Sequence, residues 1–253
     1  MSRTRPAVAR PVVAISSCRV SAHYDGRDEP IVGSNLAYTR AVLAAGGVPV
    51  LLPYGIDVTV ADAVLSTAHA LLLTGGDDVV GACPTDPVDR RAYEDPVRDL
   101  TDRALLAAAR TRGMPVLGVC RGMQLLAVSS FGSLTRVDGH APPPGVAAYR
   151  HEVVLEPEGR LAALLGPLVA AVTSLHSFAV GDAGLLRVVA RAQDGTIEAV
   201  MSTDSDRFEL GVQWHPELED GPLGRPVLRL LVEAADAYAG KGRTGRSALL
   251  ATG

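Results

Sequence analysis

The amino-acid sequence predicts an α/β domain with a mostly parallel sheet and helices on both faces. Three observations predict it. Short apolar runs alternate with stretches whose apolar positions recur at helical spacing. Glycines, prolines and capping residues punctuate the junctions between them. A chain of 253 residues, 47% of them hydrophobic, is also long enough to bury such a sheet on both sides.

The elements follow in order. Val12–Ile15 reads as a first buried strand. Ser34 stands at an N-cap position, and Leu36, Ala37, Arg40, Ala41, Leu43 and Ala44 follow at helical spacing until Gly46-Gly47 stops the helix. Val48–Leu52 reads as a second strand closed by Pro53, and residues 57–68 as a helix. Ala70–Leu73 is a third strand that runs into Thr74-Gly75-Gly76. Residues 77–93 are irregular and polar. Asp95-Pro96 makes an N-cap and first-turn pair for a long amphipathic helix that continues to about Arg112 and ends at Gly113. Val116–Val119 is a fourth strand, with a helix from Gly122 to Ser130 after it. This strand–helix rhythm implies a parallel sheet. The second half differs. After the proline loop Ala141–Gly145 come strand-like stretches at 152–156, 185–190, 196–201 and 208–212, read as added antiparallel strands, with Asp194-Gly195 as a hairpin turn. A last helix runs from about Pro226 to Tyr238. The expected organisation is one domain over residues 1–239 and a flexible tail over 240–253.

Composition excludes several function classes. The formal net charge is −4, so there is no basic field to hold nucleic acid. No apolar run reaches the roughly 18 residues that would span a bilayer. Arg3, Arg5 and Arg10 resemble the basic start of a signal peptide, but the apolar stretch after them is too short for one. A soluble, cytoplasmic protein is expected. Cys18, Cys83 and Cys120 offer neither a disulfide framework nor a paired zinc motif.

Two segments carry chemistry. Gly118-Val119-Cys120-Arg121-Gly122 lies at a strand-to-helix junction. A sharp turn there lifts the central side chain out of the sheet, and flanking glycines are needed where Cβ atoms would clash. Cys120 then sits at a helix N-terminus, whose dipole favours a thiolate. The second segment is Gly211-Val212-Gln213-Trp214-His215-Pro216-Glu217. His215 would follow a strand, and Glu217, two residues on in extended backbone, would point the same way and orient it. Nucleophile, base and orienting carboxylate form a triad in the chain order Cys, His, Glu.

These segments resemble the class I (triad) glutamine amidotransferase superfamily. Leu71–Asp78, Arg98-Asp99, Pro115–Leu126, Ser174-Leu175-His176 and Gly211–Glu217 together resemble its γ-glutamyl-γ-aminobutyrate hydrolase family, peptidase C26. The resemblance extends from Val12 to about Tyr238. It implies a flavodoxin-like three-layer domain and a cysteine hydrolase that cleaves a γ-glutamyl amide through a γ-glutamyl thioester, releasing glutamate and an amine. By resemblance Cys120 is the nucleophile, His215 the acid and base, and Glu217 the orienting group. Main-chain N–H groups near Gly76 and at Arg121 form the oxyanion hole, where one donor contributes about 3–4 kcal/mol in comparable sites. Gln124, Ser174, Leu175 and His176 match positions that hold the glutamyl group. No cofactor and no metal are expected.

The chain departs from the family pattern at Thr173, at Ser177-Phe178, and at Val79–Pro84, all around the substrate. Phe178 suggests a more apolar pocket wall, with packing inside the core as the alternative. His140 and His151 flank the proline loop and read as surface or structural residues rather than metal ligands. His23 and Asp25 read as a polar loop, His69 as structural, and Arg90-Arg91 as a solvated face. The expected partner is a small-molecule γ-glutamyl amine or glutamine, with no nucleic acid and no membrane; a homodimer is left open. The alternative is a glutaminase subunit that supplies ammonia to a partner synthase. A non-catalytic module on the same fold and a peptidase or chaperone on a related sheet fit the Cys120, His215 and Glu217 set less well.

Overall fold

The computed structural model describes residues 10–79, 95–143, 146 and 149–250, with side chains as far as residue 241. Most of the irregular stretch 77–93, Cys83, Arg90-Arg91 and part of the proline loop lie outside these residues.

In chain order the strands are β1 (Val12–Ile15), β2 (Cys18–Tyr24), β3 (Arg27–Gly33), β4 (Val48–Leu51), β5 (Ala70–Leu73), β6 (Val116–Val119), β7 (Ser133–Arg136), β8 (Tyr149–Leu155), β9 (Val169–Ser174), β10 (Phe178–Asp182), β11 (Leu186–Ala192), β12 (Ile197–Ser202) and β13 (Glu209–Val212). The helices are α1 (Leu36–Ala44), α2 (Val58–Leu65), α3 (Pro96–Thr111), α4 (Arg121–Val128), α5 (Arg160–Leu165) and α6 (Arg225–Leu250).

The main sheet is mixed. Its core strands lie in the order β4-β1-β5-β6-β13, every neighbouring pair parallel. Numbered among themselves, these strands run 2-1-3-4-5, the flavodoxin-like order. Every residue of β5, β6 and β13 is buried, which is why they read as continuous apolar runs. Antiparallel β12, β11, β8 and β9 extend this block beyond β13, and β10 joins β12 to β7. One face is covered by α1 and α6, whose Tyr38, Val42, Val227, Leu228 and Leu231 pack with Trp214. The other is covered by α2, α3 and α4, with Leu65, Leu105 and Met123 in its core. The result is three layers.

The structure corrects several sequence expectations. The N-cap of α1 is Asn35, whose side chain accepts from Ala37 N at 2.9 Å, rather than Ser34. Residues 18–33, expected as polar loop around His23 and Asp25, form the separate hairpin β2–β3. Its turn is Asp25-Gly26, both with positive φ (47° and 77°), the pair that a tight hairpin requires. The stretch 208–212, expected as an added antiparallel strand, is β13 and pairs parallel with β6, because its four buried residues lie inside the core block. Strands β7, β9 and β10 and helix α5 have no counterpart in the sequence reading. The last helix does not end at Tyr238 but continues to Leu250, through most of the stretch expected as a tail. Among the described residues, no helix is long and apolar enough to cross a membrane.

Candidate active site

The C-terminal ends of β5, β6 and β13 converge on one place. Cys120 follows β6 and opens α4 with φ 51° and ψ −106°. A non-glycine residue held there stores about 1–3 kcal/mol of strain, so its surroundings must enforce it. They do. A Cβ on Gly118 would lie 2.5 Å from the carbonyl carbon of Gly122, and a Cβ on Gly122 would overlap the carbonyl oxygen of Leu73. Only glycines let the turn fold back this tightly. Cys120 N donates to Val212 O at 2.8 Å, which anchors the elbow to β13. The first turn of α4 closes with Gln124 N donating to Cys120 O at 3.1 Å. The N–H groups of Arg121, Gly122 and Met123 precede that bond and have no partner within the helix.

His215 lies just past β13. Glu217 is not brought beside it by extended backbone, as the sequence spacing implied. Pro216–Leu218 is a 3-10 turn with His215 as its cap. That turn folds the carboxylate back, and His215 Nδ1 donates to Glu217 Oε1 at 2.7 Å. The other ring nitrogen, Nε2, is left for the Cys120 sulfur. Burial alone would push the imidazole down, but the Cys120 sulfur and the Glu217 carboxylate raise it to about 10. Gly75 closes the group: a Cβ there would lie 3.0 Å from His215 Cε1 and 3.4 Å from Cys120 Cβ.

The main chain at Thr74–Gly76 is held from α3. Asp95 Oδ1 caps α3 by accepting from Val97 N and Arg98 N, both at 3.1 Å. Arg98 is thereby aimed inward, and its Nη2 donates to Gly75 O at 2.7 Å and Thr74 O at 3.2 Å. Gly76 has φ 140°, and a Cβ there would overlap the Arg98 guanidinium. One turn further along α3, Asp102 Oδ2 accepts from Arg121 Nη1 at 2.5 Å and lies 3.6 Å from Arg98 Nε, and Asp99 pairs with Arg121 Nη2. All four side chains are buried, and two arginines balance two aspartates. This one network fixes both Arg121, at the elbow, and Gly75-Gly76, opposite it.

A cavity of about 580 Å³ opens over this group. It is bordered by Gly75, His215 and Glu217 on the sheet side, by Leu175, and by Val20 and Ile31 of the β2–β3 hairpin.

The peptidase C26 family model matches residues 11–217. The chain belongs to the peptidase C26 family. A Mycobacterium tuberculosis protein provisionally named a glutamine amidotransferase is 37% identical over 243 residues, covering 92% of this chain and 77% of that protein. The Escherichia coli K12 protein γ-glutamyl-γ-aminobutyrate hydrolase PuuD is 35% identical over 195 residues, covering 71% of this chain and 76% of that one. The glutaminase domain of Trypanosoma brucei CTPS, solved with bound acivicin, has the same fold, with a TM-score of 0.58 at 18% identity over 90% of this chain and 94% of that domain.

In this C26 hydrolase the four residues expected to grip the glutamyl group are dispersed. Leu175 borders the cavity. Ser174 Oγ donates to His140 O at 2.5 Å, and Gln124 Nε2 donates to Phe178 O at 2.9 Å. His176 turns away to a buried cluster with His140, His151 and Glu198. Of the expected surface or structural roles for His140 and His151, the buried position of His140 excludes the surface one. The two ring centroids are 4.5 Å apart, and only the fold brings them together. Phe178 is packed with the core beneath α4 rather than forming the pocket wall. His69 is structural as expected, with Val12 N donating to its Nδ1 at 2.9 Å. His23 pairs with Asp28 across the exposed hairpin.

Three further residues of the C26 site receive no role from the sequence. Tyr38, on the buried face of α1, accepts from Gly75 N at 2.9 Å. Burial, with Glu217 nearby, pushes its phenol well above the ordinary value, so it stays neutral. Gln213 Nε2 donates to Cys120 Sγ at 3.5 Å. It was legible only as part of the His-Pro-Glu segment. Arg98 was noted beside Asp99, but its reach to Gly75 depends on how α3 packs.

Proposed function

We propose that this C26 hydrolase cleaves γ-glutamyl amides by covalent catalysis at Cys120. The observation that carries the reading is the positive-φ elbow holding Cys120 beside a His215–Glu217 pair 2.7 Å apart. The sulfur attacks the γ-carbonyl carbon, and the carbonyl oxygen takes the negative charge. N–H groups at Gly76 and Arg121, fixed through Arg98, Asp99 and Asp102, receive it. His215, held as the imidazolium, gives its proton to the departing nitrogen; the amine leaves and a γ-glutamyl thioester remains. His215, now neutral, takes a proton from water, which attacks the thioester; sulfur leaves as the thiolate, restoring its pair with the imidazolium, and glutamate departs ionised, its carboxyl proton passing to the released amine. Glu217 keeps Nδ1 protonated and the ring aimed.

The relative named for γ-glutamyl-γ-aminobutyrate hydrolysis supports this substrate class. Val20, Ile31 and Leu175 give the cavity an apolar side for the leaving amine. Of the residues proposed to bind the glutamyl group, Leu175 touches the cavity, Ser174 and His176 flank Leu175 in the chain, and Gln124 donates to Phe178 O. The test is glutamate release by the purified protein from a panel of γ-glutamyl amines and free glutamine. Release from the amides, lowered about 10⁴-fold or more by Cys120→Ala, is expected. Activity undiminished by Cys120→Ala contradicts the reading. Glutamine hydrolysis that appears only after a synthase is added would replace the stand-alone hydrolase with the partner-dependent glutaminase.

A further inference from the structure

We propose that His140, His151, His176 and Glu198 bind a single divalent first-row transition-metal ion, zinc by preference. The four side chains come from four separate segments: the stretch after β7, β8, the β9–β10 turn, and β12. His140, His176 and Glu198 are buried, and His151 nearly so. One donor atom from each lies within 4.8 Å of every other.

The inward atoms lack hydrogen-bond partners. They are His140 Nδ1, His151 Nε2, His176 Nε2 and both oxygens of Glu198. Glu198 Oε1 lies 3.4, 3.5 and 3.5 Å from the three nitrogens, without hydrogen-bond geometry. Buried polar atoms are nearly always satisfied, so five unsatisfied atoms around one point need an explanation. A tetrahedral ion explains them. With metal–ligand bonds of about 2.0–2.1 Å, the donors stand about 3.3–3.4 Å apart. Three of the contacts already have nearly this length, and the remaining pairs, none more than 4.8 Å apart, need to close in by at most about 1.5 Å.

The outward atoms point the same way. His140 Nε2 meets Asp194 Oδ2 at 2.9 Å, His176 Nδ1 meets Phe178 O at 3.0 Å, and His151 Nδ1 meets Glu152 O at 3.3 Å. Each partner is an acceptor, so a neutral ring at each place carries its proton on the outer nitrogen. The inner nitrogen is left with a lone pair aimed at the common centre. Metal-binding imidazoles are oriented in just this manner by carboxylate or carbonyl groups behind them. Charge agrees as well. Glu198 is fully buried, and its ion-pair partners among the described residues are these three imidazoles. Rings in the neutral tautomer supply no positive charge, whereas a divalent ion does. Three imidazoles and one carboxylate favour zinc over magnesium or calcium, which prefer oxygen.

Four protein ligands close the coordination shell, so the ion would be structural. It would hold the wall of the cavity: Ser174 Oγ and His176 N both donate to His140 O, and Leu175 between them borders the cavity. The site stands apart from the chemistry proposed for Cys120 and does not depend on it.

The test uses tag-free, full-length Cys120→Ala protein, which removes the thiolate as a competing zinc ligand. The protein is stripped with a chelator, equilibrated with Zn²⁺, freed of excess and analysed for metal. About one zinc per chain is expected, with a higher Tm than the stripped protein. Co²⁺ in place of Zn²⁺ should give the visible absorption of a tetrahedral site. Glu198→Gln and His151→Gln should lose the metal, the Tm shift and the cobalt spectrum. The stripped protein, folded by circular dichroism yet taking up neither Zn²⁺ nor Co²⁺, overturns the proposal without any cluster variant. Full uptake by folded Glu198→Gln and His151→Gln overturns it equally.

Discussion

His215 is a buried imidazole whose surroundings favour its charge, and its role rests on that conflict. Burial opposes the imidazolium, and the Cys120 sulfur and Glu217 carboxylate overcome it, raising the group to about 10. A raised folded value means that the pairing stabilises the fold fully below about pH 6.5 and is lost as pH rises through about 10. An NMR titration of His215 should therefore show a midpoint near 10 that falls markedly in Cys120→Ser, where the larger of the two supporting charges is gone. A midpoint at the ordinary histidine value in both proteins contradicts the ion pair. Glu217→Gln tests the other side of the ring. The amide cannot hold the imidazolium, so kcat should fall by about 10²–10⁴-fold while KM changes little. A change confined to KM would mean that Glu217 binds substrate instead. Cys120, His215 and Glu217 were all legible in the sequence because each sits in a motif with fixed spacing. The 3-10 turn that joins the last two was not, since Pro216 suits extended and turned backbone alike.

At the level of elements, the elbow depends on α3 as much as on its own glycines. Arg98, Asp99, Asp102 and Arg121 are withdrawn from water together. Removing one partner leaves a buried charge uncompensated. Asp102→Ala should therefore destabilise the protein by about 3–5 kcal/mol in urea unfolding. It should also slow turnover, because Arg121 carries a proposed oxyanion donor. A loss below about 1 kcal/mol, typical of an exposed pair, would show that the network is not desolvated. The sequence marked Arg98-Asp99 but not this role, since nothing in a single helix states which side chains it will meet. The β2–β3 hairpin was hidden for a different reason. Both its strands are mostly exposed, so they lack the alternation of a half-buried strand. Asp25-Gly26 was their only local signal. The histidine cluster was hidden most completely, because its members are brought together only by the strand pairing.

On the scale of the whole molecule, the parallel half of the sheet was readable and the antiparallel half much less so. Strands β1, β5 and β6 are buried on both faces and separated by helices capped by Asn35, Asp57 and Asp95, which gives each a clear boundary, whereas β13, expected as an added antiparallel strand, pairs parallel with β6. Strands β7, β9 and β10 lie in partly exposed positions, where periodicity is weak. The parallel half supplies the ends of β5, β6 and β13, and hence Gly75, Cys120 and His215. The antiparallel half supplies Leu175 to the cavity, and the four residues of the histidine cluster come from it and the stretch after β7. The central claim is that these parts form one covalent site at Cys120. It is tested most directly by acid-quenching the enzyme during turnover of a γ-glutamyl amide and mapping its peptides by mass spectrometry. One γ-glutamyl group is expected on the peptide carrying Cys120, with the amine released ahead of glutamate in a burst that matches the enzyme present. Steady turnover with the group on another residue, or with amine and glutamate always released together and no adduct found, would contradict it.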